Sequence, residues 1–516
     1  MAANTVAIAD RCSPLVMTLD IGSSSVRCGI YDSMARAVEN KEAGLPHRLK
    51  TGRDGISRVD PEALLEALFL CIDKVLDRLG TAGRDIAAVG CCTFVANVMG
   101  LDASDRPVMP LSTYADTSSW PQAERLKTEL DQEKVRQRVG CYFHPSYLPS
   151  RFLFWKETDS ALFHKVTRWV SLGEYLEKTL FGPSDRSGVT HSVASWTGLL
   201  NRHSLDWDEE LLDHLALEKG TLSRLVDASE PRTGLTKRYA ERWPVLQDIP
   251  WFPAIGDGAA ANLGSAKTGT PQTVVVTLGT TGAVRAIIRG QLPSIPEGLW
   301  CYLVDKDRLL PGGALTEGGN VHAWMCEALN LNDPVSLEQE LTAMQPDAHG
   351  LTFLPFFAGE RSPGWRGRAT ATVHGMTLAT KPLEILRAGM ESVTLRLGLI
   401  FERLMPLLEM TTEDHPTDIP VVAGGGALAA SPAWTQMLAD VLGHKVERCA
   451  LDETSSRGVA LMVLEFLEAY KTQAGTISGT VFEPDPDAHD IYRTARERQA
   501  SLYDTIREFD EREREN

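Results

Sequence analysis

The sequence has no C-x-x-C pair. Its nine cysteines (Cys12, Cys28, Cys71, Cys91, Cys92, Cys141, Cys301, Cys326 and Cys449) are odd in number and scattered along 516 residues. That pattern argues against a disulfide framework and against a thiolate zinc site, and it matches free buried thiols in a reducing compartment. Long hydrophobic runs are also lacking. No stretch approaches the ~18 apolar residues that cross a bilayer, so no membrane partner is expected. Residues 1–14 lack the basic start and apolar core of a signal peptide and read as a short flexible lead-in; the predicted location is cytoplasmic. Positive charge is in deficit, with 52 Lys and Arg against 69 Asp and Glu and a net charge of −17. An acidic surface argues against a nucleic-acid partner. It leaves room for one small anion held by backbone N–H groups.

What is present is a long soluble chain, 43% hydrophobic and 23% charged. A prior of ~100–200 residues per domain predicts two large domains, or three. Val16–Asp20 is a short apolar run ending in an acid, Gly22–Ser25 a turn, and Val26–Tyr31 a second strand. Pro61–Leu79 has helical spacing, with Leu64, Leu65, Leu68, Ile72, Val75 and Leu79 on one face, Asp60 as N-cap and Pro61 at the first position. Ile86–Cys91 reads as a strand, and helical patterning returns at Ala123–Leu130. Further on, Thr273–Thr277 and Ala283–Ile288 are strands around the turn Leu278–Gly282. Glu384–Leu408 reads as a long helix and Thr411–Pro420 as a polar connector. Pro420–Ala423 is a strand entering Gly424-Gly425-Gly426. Ser431 caps a helix that starts at Pro432, and another helix covers about Ser456–Tyr470. The last residues, dense in Arg, Glu and Asp, read as a solvated helix or loose tail. Alternating strands and helices predict an α/β protein.

The most useful pattern is a degenerate repeat. Gly22 and Gly279 both sit between an apolar strand and a second strand, beside hydroxyl residues, about half the chain apart. A fold of two similar halves accounts for that. Phosphoryl transfer needs a cradled polyphosphate, a positioned hydroxyl and a carboxylate to take its proton. Around Gly22, Ser23, Ser24 and Ser25 offer hydroxyls and N–H groups, Arg27 a forked donor, and Asp20 a carboxylate able to orient Mg²⁺ through water. The second hairpin repeats this with Gly279, Thr280 and Thr281, but has Thr277 where the first has Asp20. Each alone could be a plain polar turn; facing each other, the two would close on a triphosphate. Asp257, between Gly256 and Gly258, is the candidate general base; it could equally be a helix N-cap, and the two roles are compatible. Gly424-Gly425-Gly426-Ala427 suits a flat ligand on bare backbone, though not by the G-x-G-x-x-G pattern.

In order and spacing, five segments resemble the FGGY family of carbohydrate kinases over roughly Val16–Leu467. They are Leu19–Arg27, Gly256–Gly264, Thr277–Gly282, Leu354–Pro363 and Gly424–Ala427 with Trp434 and Ala439-Asp440. The resemblance implies a two-domain actin-like, ribonuclease H-like ATPase fold of the α/β class with an interdomain cleft. The expected division is a lead-in at 1–14, a sugar-binding domain at 15–265, an ATP-binding domain at 266–480 and a charged tail or helix at 481–516. It implies ATP and Mg²⁺, with Asp257 as base, Asp20 on the metal side, Gly279–Thr281 as second phosphate grip, and Gly425, Gly426 and Ser431 at the adenosine side.

Gly140–Pro149 with Phe154-Trp155-Lys156, and Gly256–Asn262, look most like the gluconokinases of the family. Two departures stand out. Val95 and Ala96 replace the Trp-His pair usual in those enzymes, and Ser118 replaces the Arg that usually follows the sugar-side acid, here Asp116. Lost polar handles can switch specificity. His144 could compensate as a sugar contact, or could cap a turn before Pro145. The reading is therefore an ATP-dependent kinase of a small sugar or sugar acid, gluconate foremost, with D-xylulose or another pentulose or polyol behind it. A catalytically idle sugar-binding relative is the rival class, and an actin-like chaperone ATPase is disfavoured because the sequence shows no evident separate peptide-binding domain. None of these motifs reports oligomeric state, and a homodimer stays open.

Overall fold

The computed structural model describes residues 5–183, 187–266, 272–331, 333–410, 419–449, 451, 453–470 and 479–515. The apolar run around Val16 becomes β2 (Leu15–Ile21), every residue of it buried. Such a run belongs in the middle of a sheet covered on both faces. β1 (Thr5–Val6), β3 (Ser25–Tyr31), β4 (Ala37–Pro46), β5 (Ile86–Thr93) and β6 (Ile255–Gly256) complete that sheet in the order β1-β4-β3-β2-β5-β6. β4, β3 and β2 run antiparallel; β5 and β6 then add in parallel. Helix α1 (Pro61–Leu79) has the predicted limits: the Asp60 carboxylate accepts the Glu62 and Ala63 N–H groups, and the predicted apolar face is buried.

The second sheet repeats the plan. Its strands are β7 (Val274–Leu278), β8 (Gly282–Ala286), β9 (Ile288–Arg289), β10 (Trp300–Leu303), β11 (Arg308–Ala314), β12 (Val421–Gly424), β13 (Val446–Arg448) and β14 (Thr480–Phe482). The order is β9-β11-β8-β7-β12-β13-β14, with β10 on β11. Again three central strands, β11, β8 and β7, are antiparallel, and two more, β12 and β13, are parallel. The hairpins at Gly22 and Gly279 occupy equivalent places, so the internal repeat is a structural duplication. A smaller five-stranded sheet, from Lys50–Thr51 to Arg168–Val170, and a helical lobe over 120–217 are inserted in the first half.

Three expectations change. Residues 5–14 are not a loose lead-in, because β1 pairs in parallel with β4 and Arg11 bonds the Ile8 carbonyl and Asp85. The charged C-terminus forms the long helix α7 (Pro486–Glu515), which seats Tyr492, Ala495 and Gln499 in the core of the second half. Its high charge masked a narrow apolar stripe. The cut at 265/266 separates the two sheets but not their packing. α6 (Thr454–Phe466), late in the chain, returns to the first sheet and buries Val459, Met462 and Val463 against Val16, Ala88 and Cys92. The connector predicted at 411–420 lies, as far as residue 418, outside the described residues.

Helix α2 (Asp257–Ser265) crosses α6 almost backbone to backbone. A Cβ on Gly264 would stand 1.8 Å from the Thr454 carbonyl oxygen, and one on Gly458 1.8 Å from that of Ala260. Neither carbonyl can move without distorting a helix. We expect Gly264→Ala and Gly458→Ala each to destabilise by about 2–3 kcal/mol or more, read as a clear fall in melting temperature; an unchanged melt would mean that the helices are not held at this distance.

Candidate active site

β2 carries Asp20 near its C-terminal end. Asp20 lies opposite Cys92 on β5, and Cys92 opposite Ile255 on β6. Two strand spacings make that about 10 Å. Gly256 then turns the chain into α2, with Asp257 as its first residue. The two carboxylates thus stand at one edge of the same sheet, with one strand between them. Gly256 is the helix N-cap, so Asp257 does not fill that role; its Oδ1 instead accepts the Gly258 N–H at 2.7 Å.

Asp257 is half-buried where α2 leaves the sheet. Desolvation, then the Asp20 charge, push its pKa up to about 7, against the Gly258 N–H and the Arg285 charge, which lower it. Burial also raises the Asp20 pKa, partly offset by the Cys92 thiol, which donates to Oδ1 at 3.4 Å, and by Arg27. Arg27 projects from β3 directly across from Asp20, and its Nη1 meets Glu453 Oε2 at 2.7 Å. Ser23 and Ser24 lie in the turn before β3, tightened by the Gly22 N–H donating to the Ser25 carbonyl at 3.0 Å.

In the second half, the Gly279 N–H donates to the Thr281 carbonyl at 3.0 Å. Thr277, the counterpart of Asp20, lies opposite Gly424, which sets the triple-glycine loop beside the hairpin. Gly279, Thr280, Gly426 and Ser431 line one cavity of about 620 Å³ together with Asn320, His322 and Trp434. Its size suits a small-molecule ligand. Ser431 caps α5 (Pro432–Leu442) by accepting the Trp434 N–H. Gly425 adopts φ +104° at the back of the loop.

The sugar-side candidates differ. Asp116 is buried, and both its oxygens are engaged: Oδ2 accepts from the Ser57 N–H and the Ser112 hydroxyl, Oδ1 from the Ser118 N–H and hydroxyl. Ser118, where the family has an arginine, therefore ties Asp116 into its own loop. His144 Nδ1 accepts the Ser146 N–H at 3.1 Å, which is the turn-capping arrangement. Its ring packs edge-on to Trp120 and Trp365. Burial first, then the nearby cations Arg361, Lys127 and Arg151, hold its pKa well below the usual value, so it is neutral. Val95 lies against Gly256, next to Asp257.

Sequence reasoning missed several residues. Arg285, Trp300 and Tyr302 enter from the second sheet, and Trp196 meets them from the inserted lobe, stacked on Tyr302 with ring centroids 3.6 Å apart. Glu317, beside the second hairpin, is buried with its pKa raised to about 7, chiefly by desolvation. An arginine inside the apolar strand Gly282–Ala286 was the one readable signal. The aromatic contacts depend on register between distant segments.

Duplicated sheets with a central hairpin each, two carboxylates at one sheet edge and a glycine-lined cavity define a two-domain ATPase of the actin-like class. The chain belongs to the FGGY family of carbohydrate kinases: the family's N-terminal domain matches residues 15–264 and its C-terminal domain residues 274–464. It is a phosphotransferase with an alcohol group as acceptor. It is 26% identical over 496 residues to a gluconokinase of Bacillus subtilis (strain 168), covering 93% of each chain. To a xylulose kinase of Streptomyces rubiginosus it is 29% identical over 461 residues, covering 87% of each. The fold matches a gluconate kinase structure from Lactobacillus acidophilus with a TM-score of 0.85 and 22% identity, over 95% of this chain and 98% of that one. No helix among the described residues is long and apolar enough to cross a membrane.

The glycine loop makes a testable contrast. A Cβ on Gly425 would meet the Leu278 carbonyl oxygen at 2.5 Å, whereas one on Gly426 meets nothing within 4 Å. Gly425→Ala should cost about 2 kcal/mol or more, through strain at positive φ and overpacking, while Gly426→Ala should leave the melting temperature within a degree or two. Equal effects would contradict the described loop.

Proposed function

We propose that the protein transfers the γ-phosphoryl group of ATP to a hydroxyl of gluconate or a closely similar sugar acid, with Asp257 as general base. The observation that carries this is the place of the Asp257 carboxylate, at the first turn of α2 and one strand from Asp20, where burial and the Asp20 charge raise its pKa to about 7. A base is most effective when its pKa lies near the working pH. The adenosine end of ATP would occupy the cavity of Gly426 and Ser431, with Gly425 shaping its floor. Its phosphates would run between Ser23–Ser25 with Arg27 and Gly279–Thr281. Arg27 would exchange its half-exposed ion pair with Glu453, a pairing of low energetic cost, for a phosphate oxygen.

Asp20 fits Mg²⁺, because it is a buried carboxylate whose hydrogen-bond donor is one weak thiol. When bound, the ion neutralises charge on the β- and γ-phosphate oxygens. Positioning contributes more than proton removal, since the transition state is loose. Gluconate is favoured by the relative matched along almost the whole chain; D-xylulose is the neutral rival, favoured by the relative at 29% identity. A panel of gluconate, xylulose, ribulose, glycerol and erythritol with coupled ADP detection decides between them, and turnover on none would favour an idle sugar-binding relative.

Asp257→Asn should lower sugar-dependent ADP release by about 10²–10⁴-fold while ATP binding persists; near-normal turnover would sink the base assignment. The base must be ionised, so kcat/KM for the sugar should be lost as pH falls through about 7, the Asp257 value. Asp20→Asn removes a like charge. The residual activity of that variant should therefore show its acid limb at lower pH than the wild type, and a limb that stays put would remove Asp20 as the cause of the shift.

A further inference from the structure

Two arginines of the second half meet the first half with donors that the protein does not use. Arg285 projects from β8, in register with Gly312 on β11 and, one strand on, Trp300 on β10. Gly312 leaves no side chain between them, and the guanidinium carbon lies 5.8 Å from the Trp300 ring centroid. On its other side it reaches the first half, 3.8 Å from where a Cβ on Gly258 would be, next to the base. Its Nε is buried without a partner, and the carboxylate charge that acts on it is that of Asp257. Arg361 lies over Trp365, 5.9 Å from the ring centroid, and contacts the Tyr147 hydroxyl; its Nε is likewise buried and unpaired. The two arginines are linked through Tyr147, whose hydroxyl lies 2.5 Å from that of Tyr302, itself stacked on the Trp300 ring that Arg285 faces. Trp196 Nε1 and Trp300 Nε1 are buried and unpartnered too. Buried donors in such numbers call for an acceptor, and two guanidiniums joined by one aromatic wall call for an anion.

We infer that Arg285 and Arg361 form the anchor for the carboxylate of the sugar acid, holding it on the second-half side of Asp257. This rests on the kinase reading above and adds the residues that would make it acid-specific. The stacked wall Trp196–Tyr302–Trp300 then runs beside the carbon chain. A transferring phosphoryl group is the other anion within reach, but neither arginine lines the cavity bounded by Gly279, Gly426 and Ser431. An acid anchored this way also answers the losses at Val95, Ala96 and Ser118. Recognition has moved from polar handles in the first half to cations in the second.

The test compares gluconate with gluconamide, its neutral amide of the same length, by isothermal titration with a non-hydrolysable ATP analogue present. Wild type should prefer the acid, and in Arg285→Met and Arg361→Met the acid affinity should fall by about 100-fold, collapsing that preference. Arg285→Lys, which keeps the charge without the fork, should fall between. Affinity for the ATP analogue, measured separately, reports that each variant is folded. A preserved preference, or equal losses for acid and amide, overturns the anchor while leaving the gluconate reading intact. Loss of ATP-analogue affinity alone reassigns the arginines to the phosphoryl group. A wild type that phosphorylates neutral sugars and no aldonate overturns both readings.

Discussion

The crossing of α2 and α6 at Gly264 and Gly458 is the contact on which the rest depends. Two helices, one from the middle of the chain and one from its last quarter, approach until each one's glycine lies against the other's carbonyl. Only hydrogen at those positions permits that distance. The crossing sets α2 on the first sheet, and α2 begins with Asp257. It also brings the start of α6 beside the first hairpin, where Glu453 meets Arg27. One close packing therefore aims Asp257, anchors the returning helix and ties the second half to the first.

The duplication explains both the likeness and the difference of the two halves. Each sheet presents a hairpin in the middle and parallel strands beside it, so each offers a backbone cradle at the same edge. In one half the strand before the turn ends in Asp20; in the other the same place holds Thr277, facing bare glycine. Negative charge is thus concentrated on one side. Asp20 raises the Asp257 pKa, whereas Arg285 lowers it from across the cleft. Asp257 sits between a like charge from its own sheet and an opposite charge from the other. Its proton affinity is accordingly a property of the assembled halves.

The sugar side follows a different logic. Asp116 and His144 are occupied by their own loops, the first by four donors and the second by the Ser146 N–H. Groups with satisfied partners position a wall; groups with unsatisfied partners are available to a ligand. In this cleft the latter are arginines and indoles contributed largely by β8, β10 and the inserted lobe.

The hairpins, the limits of α1, the capped helix at Pro432 and the aspartate between two glycines were legible in the chain, because each depends on neighbours a few residues apart. Turn glycines, caps and apolar periodicity are local physics, and a local repeat seen twice was enough to reveal the two-fold plan. The order of β1 and the packing of α7 were not legible: a two-residue strand has no periodicity, and the charges of the last helix hide the stripe that packs. Nor could the sequence rank Asp116 against Arg285, since hydrogen-bond saturation depends on who else arrives at the same place. Sequence alone determined the kinase class and the residues at its turns. Tertiary structure alone decided the electrostatics of Asp257 and which polar groups remain free, because both arise where segments hundreds of residues apart exclude water together.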